Sequence, residues 1–227
     1  MLTGAGVSAE SGLGTFRDTD GLWSQYDLED VATPQGYSRN PKLVLDFYNA
    51  RRKNLLAAEP NAAHTALARL ATERKVTLIT QNIDDLHERG GSSDVIHMHG
   101  SLIESLCTAC STVTTWRQDM TLDSKCPQCA EVGCIRPNVV WFGEMPYHME
   151  RIEEVLPHAK QFVSIGTSGS VYPAAGYVAA CKQFGIPTLE LNLEPSDNAG
   201  LFDDGLYGPA TEMIPAWVEE VLAQPKL

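Results

Sequence analysis

Four of the six cysteines fall into two C-x-x-C pairs, Cys107/Cys110 and Cys126/Cys129, separated by fifteen residues. That spacing matches the C-x₂-C-x₁₅₋₂₀-C-x₂-C zinc pattern. Each C-x-x-C turn points two thiolates the same way, and two such turns complete a tetrahedron. Four thiolates fill the coordination sphere and leave no position for a reacting water, so the expected Zn2+ is one structural ion. Cys134 and Cys181 stand apart and read as packing residues. Taken alone, the module suits equally a zinc ribbon that binds nucleic acid or another protein.

A second chemistry-bearing segment is Gly4-Ala5-Gly6-Val7-Ser8-Ala9, a G-x-G-x-x-A turn. Glycines there let backbone N–H groups approach a pyrophosphate, and a helix N-terminus would add favourable partial charge. No acidic residue closes a second strand about 20 residues on, as the simple dinucleotide fingerprint requires. Glu29 and Asp30 lie near that distance, but in an unpatterned stretch. An ordinary NAD-dependent oxidoreductase is therefore disfavoured. Downstream, Ser11-Gly12-Leu13-Gly14-Thr15-Phe16-Arg17 combines a flexible loop, an aromatic ring and a cation, suited to closing over a cofactor.

These segments need elements to position them. Short apolar runs at 1–3, 76–80, 162–165 and 188–191 suit buried parallel strands. Each ends in a polar loop: Gly4-Ala5-Gly6, Gln81-Asn82-Ile83-Asp84, Gly166-Thr167-Ser168 and Asn192-Leu193-Glu194. Helical stretches are expected over 41–56, 62–72, 174–184 and 216–222. The alternation predicts an α/β fold, a Rossmann-like doubly wound parallel sheet whose ligands sit beyond the carboxyl ends of the strands. Residues 1–26, 74–102 and 137–227 are expected to form this discontinuous domain. A helical insert over 27–73 and a zinc-binding module over 103–136 are expected to form a smaller lobe. The three-residue first strand barely crosses a sheet, so the natural chain is expected to begin earlier.

The chain has 227 residues, 43% hydrophobic and 20% charged, with a formal net charge of −12. A surface so acidic repels phosphate, which argues against nucleic acid and favours basic protein partners. No apolar run approaches the roughly 18 residues of a membrane span, and a cytoplasmic, monomeric protein is expected.

Taken together, these segments resemble the sirtuin family, class III, in its CobB-like bacterial branch of NAD-dependent protein deacylases. The matching residues are Gly4 to Gly12 with Thr15-Phe16-Arg17, Thr80-Gln81-Asn82-Ile83-Asp84, His97-Met98-His99-Gly100, both cysteine pairs, Arg136 to Glu144, Gly166-Thr167-Ser168 and Leu191-Asn192-Leu193-Glu194. They occur in the family's order and cover nearly the whole chain. Gly14 is a minor departure.

The resemblance implies that an acyl-lysine oxygen attacks C1′ of the nicotinamide ribose and releases nicotinamide. His99, the catalytic base, then takes a proton from the ribose hydroxyls, and water completes the path to free lysine and O-acyl-ADP-ribose. An imidazole suits that step because its ordinary pKa of about 6.5 lies near working pH. His64, His87 and His97 are read as structural. NAD would be held by Gly4, Ala5, Gly6, Ser8, Ala9, Glu10, Thr15, Phe16 and Arg17. It would further be held by Gln81, Asn82, Ile83 and Asp84 at the nicotinamide, Gly166, Thr167 and Ser168 at the phosphates, and Asn192, Leu193, Glu194 and Ala210 at the adenosine end. Val140, Phe142, Gly143, Glu144, Val171 and Tyr172 would flank an acyl-lysine peptide bound as an added strand.

Tyr48 and Arg51 share a helix face at i and i+3. Spacing alone favours a surface arginine beside a core tyrosine. With the resemblance, the phenol and guanidinium become a carboxylate receptor, with Ala32 leaving room beside them, and imply removal of succinyl and malonyl as well as acetyl groups. Mono-ADP-ribosyl transfer on the same site, an oxidoreductase and a non-catalytic zinc-containing binding module are the alternatives.

Overall fold

In the computed structural model, which describes residues 1–14 and 26–225, nine strands and eight α-helices are defined among the described residues. The strands β1 (Leu2–Thr3), β2 (Leu78–Thr80) and β3 (Val95–His97) form one half of a parallel sheet. The other half is β7 (Phe162–Ile165), β8 (Thr188–Asn192) and β9 (Asp204–Tyr207). Strand order is β3-β2-β1-β7-β8-β9, so the winding reverses between β1 and β7. Ligands of doubly wound sheets bind at that reversal, outside the carboxyl ends of the strands.

The second sheet is antiparallel, ordered β5-β4-β6, from β4 (Gly100–Cys107), β5 (Val113–Thr115) and β6 (Ile135–Val139).

Strand residues alternate between two apolar layers. Leu2, Ile79 and Phe162 face a core with Val178 and Cys181, while Val163, Ile165, Leu189 and Leu191 face one with Leu67, Ile214 and Trp217. This is the period of two expected of strands covered on both faces. The Cys181 side chain is fully enclosed there, as a packing residue.

The helices are α1 (Leu28–Val31), α2 (Pro34–Arg39), α3 (Pro41–Ala57), α4 (Ala62–Glu73), α5 (Leu86–Arg89), α6 (Met149–Val155), α7 (Tyr177–Gln183) and α8 (Ala210–Ala223). Helix α3 starts where Asn40 accepts from the Leu43 N–H and Pro41 takes the first position, whose missing N–H costs nothing there. It buries Val44, Phe47, Tyr48 and Leu55.

Two expectations shift in position. The helix expected over 216–222 begins at Ala210, although Pro215 lies inside it. Glu10, across the fold, accepts from both the backbone N–H and the hydroxyl of Thr211, so the first turn is capped by a distant residue. The insert expected over 27–73 divides in its packing. Residues of α1 and α3 pack with Leu102, Val139 and Trp141, while Ala63, Leu67 and Leu70 of α4 pack on the main sheet with α8.

Candidate active site

The glycine loop after β1 crosses the loop after β7 at the reversal of the sheet. Gly4 N–H donates to Ile165 O, and Gly6 N–H to Gly166 O, both at 2.9 Å. A Cβ on Gly6 would lie 2.7 Å from Gly166 Cα, and one on Gly4 would lie 2.7 Å from Gly166 O. No side chain fits in that crossing, which keeps bare backbone at the floor of the cleft. The segment is not the start of a long helix. It forms two single 3-10 turns, Ala5–Val7 and Ala9–Ser11, ended by Gly12 at φ +84°. The positive φ suits glycine and stops the helical winding.

Behind the loop lies a closed polar network. Ser8 Oγ donates to Asp84 Oδ2 at 3.1 Å and accepts from Asn82 Nδ2 at 3.2 Å. His64 Nε2 is also 3.2 Å from Ser8 Oγ, and His64 Nδ1 accepts from the Asn61 N–H at 3.2 Å. His64 Nδ1 also lies 3.0 Å from Asn61 Oδ1, so both nitrogens of the ring are held by polar partners. Burial lowers the His64 pKa to about 4 and that of its neighbour His87 to about 3, so both rings are neutral near pH 7. Burial acts oppositely on Asp84: it raises the carboxyl pKa, against the Leu86 N–H and Ser8 hydroxyl that favour the charge.

His99 follows β3, and its Nδ1–H donates to Gln81 O at 3.0 Å. That bond fixes the tautomer and leaves Nε2 as the basic nitrogen. Burial lowers the ring's pKa below its ordinary value, opposed by the Gln81 carbonyl.

The opposite wall is the segment after β6. Arg136 grips Glu144 with two bonds, 2.7 and 2.9 Å, donates to Val139 O at 2.7 Å, and lies over the Trp141 ring with its guanidinium carbon 3.5 Å from the centroid. Glu144 also accepts from the Trp141 N–H. Both Glu144 oxygens are thus committed to bracing this wall. Phe142 N–H donates to Ala32 O at 2.9 Å, and Val140 N–H to His99 O at 2.9 Å. Trp141 Nε1–H donates to Tyr48 Oη at 3.0 Å, so the Tyr48 acceptor side is taken and its O–H remains a donor. The Arg51 guanidinium carbon sits 5.7 Å from the Tyr48 ring centroid. Tyr48, Arg51 and Ala32 all line the same cleft.

The four paired cysteines converge. Cys107 Sγ is 3.7 Å from Cys129 Sγ, Cys110 Sγ is 3.8 Å from Cys126 Sγ, and all four lie within 4.8 Å of one another. Zinc–sulfur bonds of about 2.3 Å at tetrahedral angles require sulfurs about 3.8 Å apart, so the cluster fits one ion. Cys134 Sγ packs 3.3 Å from Cys107 Sγ, too close for both to be ligands of one such tetrahedron. Arg52, fully buried, ties the module to α3 through Leu102 O at 2.9 Å and Met120 Sδ at 3.6 Å.

A cavity of about 1190 Å³ is lined by Gly4, Ala5, Gly6, Ser8, Ala9, Glu10, Gln81, Asn82, Ile83, Asp84, Gly166, Thr167, Ser168, Asn192, Leu193, Glu194 and Ala210. It is also lined by His99, Ala32, Tyr48, Arg51, Val140, Phe142, Gly143, Glu144, Val171 and Tyr172. Thr15, Phe16 and Arg17 lie outside the described residues. Leu102, Asn54 and Met213 line the same cavity, and no spacing in the sequence marks them. The sequence reads His64 only as structural; its bond to Ser8 joins positions 56 residues apart.

A model of the Sir2 family matches residues 4–173. An NAD-dependent protein deacylase of Caulobacter vibrioides is 59% identical, over 99% of this chain and 96% of that protein. One from Escherichia coli is 52% identical, over 98% of this chain and 81% of that protein. A crystal structure of a Sir2 homologue in complex with NAD superposes with a TM-score of 0.89 at 40% identity, covering 97% of this chain and 88% of that one. Together with the glycine crossing, the placed imidazole and the four converging thiols, these matches assign the protein: the chain belongs to the Sir2 family.

Proposed function

We propose that the protein is an NAD-dependent protein-lysine deacylase of the cytoplasm, acting as a monomer on acetyl-lysine and on the carboxylate-bearing succinyl- and malonyl-lysines of basic protein segments. The observation that carries this reading is a single cavity holding the glycine crossing, the His99 ring and the Tyr48–Arg51 pair. NAD, when bound, supplies the electrophilic ribose carbon and nicotinamide as leaving group.

The chain's residues divide the remaining work. The bare backbone of the crossing at Gly4, Gly6 and Gly166, where the two loops approach too closely for any side chain, receives the pyrophosphate. Asn82 and Asp84, fixed by Ser8, present an amide and a carboxyl to the carboxamide. His99, with Nδ1–H spent on Gln81, accepts a ribose hydroxyl proton at Nε2. Backbone groups of 140–143 and 171–172 hold the peptide as an added strand, so little sequence selectivity is expected. Arg51 offers a two-pronged donor and Tyr48 a hydroxyl to a succinyl carboxylate. The four cysteines hold one zinc ion away from this chemistry and keep the lobe folded.

Incubation with NAD and a succinyl-lysine peptide tests the proposal, and equimolar nicotinamide, free lysine peptide and O-succinyl-ADP-ribose are expected. Nicotinamide with ADP-ribose left on protein would mean mono-ADP-ribosyl transfer instead, and NADH absorbance would mean an oxidoreductase. No helix among the described residues is long and apolar enough to cross a membrane.

A further inference from the structure

His97 and His99 stand two residues apart at the end of β3, and both rings turn to the same loop. His99 Nδ1 lies 3.0 Å from Gln81 O, and His97 Nδ1 lies 3.3 Å from Asn82 O. Consecutive carbonyls of one loop are thus tied to alternate imidazoles. The deacylase reading uses His99 and leaves His97 without a task.

The two rings differ at the second nitrogen. His97 Nε2 is 2.7 Å from Glu88 Oε1 on α5. A carbonyl and a carboxylate accept and do not donate, so bonding both requires a proton on each ring nitrogen. His97 makes both bonds only as an imidazolium.

We propose that His97, kept charged by Glu88, is a positioning residue that holds the Asn82 segment at the nicotinamide end of the cavity. The inference rests on the deacylase reading for what that end of the cavity binds. Asn82 is held by three handles: its N–H on Thr80 Oγ1 at 3.0 Å, its side chain on Ser8 Oγ at 3.2 Å, and its carbonyl on His97. The carbonyl handle sets the plane of the peptide leading to Ile83 and Asp84. Releasing it lets that peptide turn, which misdirects the groups that would face nicotinamide while the sheet beneath stays intact.

The groups acting on His97 are Glu88 of α5, Asp84 of the loop and the His87 ring of α5, which burial keeps neutral. Burial opposes the charge on His97, but the Glu88 bond and charge, the Asn82 carbonyl and Asp84 outweigh it and raise the pKa above its ordinary value. The charged ring is present below that raised value and is lost as pH climbs through it. The neutral ring keeps its one proton on the shorter bond to the Glu88 carboxylate and gives up the 3.3 Å bond to Asn82, so an alkaline limb in NAD and nicotinamide binding follows, separate from the acid limb of His99.

The side-chain amide nitrogen of asparagine overlies histidine Nδ1, and that of glutamine overlies Nε2. Thus His97→Asn keeps the bond to Asn82 and drops Glu88, whereas His97→Gln does the reverse. The His97 side chain is 16% exposed and that of Glu88 41%, so these changes leave the core packed.

Nicotinamide release from NAD and an acetyl-lysine peptide is measured on the full chain against pH, with nicotinamide as inhibitor. Release by the unaltered protein tests the deacylase reading on its own. In His97→Gln, the KM for NAD and the nicotinamide inhibition constant are expected to rise about tenfold, the size of one hydrogen bond to a charged donor, with kcat at saturating NAD and the melting temperature nearly held. His97→Asn is the conservative rescue: it returns both constants to within about threefold of the original and abolishes the alkaline limb. Glu88→Gln, on an exposed carboxylate, shifts that limb to lower pH even if a His97 variant fails to fold. Normal constants in His97→Gln, an impaired His97→Asn beside a normal His97→Gln, or a limb indifferent to Glu88→Gln overturns the proposal.

Discussion

The Nδ1–H of His99 donates to the backbone carbonyl of Gln81 at 3.0 Å, so a main-chain atom of the loop after β2 fixes which nitrogen of the base is free. Loop and base are thereby registered to each other: whatever places Gln81 also aims His99 Nε2. The tie explains how two residues 18 positions apart act as one unit at the cleft.

Because the ring must be neutral to take a proton, activity is expected to rise with pH through the His99 pKa, which burial holds below the ordinary value. The acid limb of the kcat profile therefore lies below about pH 6.5. His99→Ala is expected to lower deacylation on the order of a hundred- to ten-thousandfold. A variant that keeps its rate and its acid limb would remove His99 from the base role.

Arg51→Met is expected to weaken kcat/KM for a succinyl-lysine peptide by about 2–5 kcal/mol, because the bound carboxylate loses a charged partner in a desolvated site. Acetyl-lysine turnover should be spared. Equal losses on both peptides would show that Arg51 only supports α3.

Gly6→Ala forces a methyl group to within 2.7 Å of Gly166 Cα. Separating the two loops costs about 1–3 kcal/mol, the usual range for overpacking a tight contact. The measurable results are a lower melting temperature and weaker NAD binding by calorimetry. Unchanged NAD affinity would mean that the crossing is not the dinucleotide floor.

Cys126→Ser removes one thiolate from the cluster and is expected to reduce zinc, measured with a chromophoric chelator, from one ion per chain to near none. The core of Leu45, Trp116, Met120 and Ile135 packs around these cysteines. Its loss should expose the segment after β4 to protease, while the main sheet keeps its circular dichroism. Full zinc content in the variant would point to another ligand set.

The buried histidines make stability depend on pH. Their native pKa values, about 4 for His64 and about 3 for His87, lie below the unfolded value near 6.5. The unfolded chain therefore binds protons first. Stability is full above pH 6.5 and falls as pH drops toward 4, by on the order of 3 kcal/mol for each ring. Urea unfolding at pH 7 and pH 4.5 checks this, and equal midpoints would contradict the neutral, enclosed assignment.

Much of the fold is written in local pattern. Short apolar runs ending in Gly, Asn or Ser predict strands with functional loops at their carboxyl ends, and β2, β7 and β8 lie inside or at those runs. The C-x-x-C pairs predict the thiol cluster because a turn of four residues has little freedom in where it sends two sulfurs. Spacing on one helix likewise brings Tyr48 and Arg51 together.

What the tertiary structure alone decided are relations between distant residues whose chemistry is ordinary until they meet. Glu10 caps α8 across 201 positions, His64 completes the Ser8–Asp84 network, and Cys134 arrives beside Cys107. Local sequence specifies backbone preference and the direction of neighbouring side chains. Which hydrogen-bond donor answers which acceptor is settled only when the sheet order brings the loop after β1 between those after β2 and β7, because a buried polar group takes whatever partner the packed chain delivers.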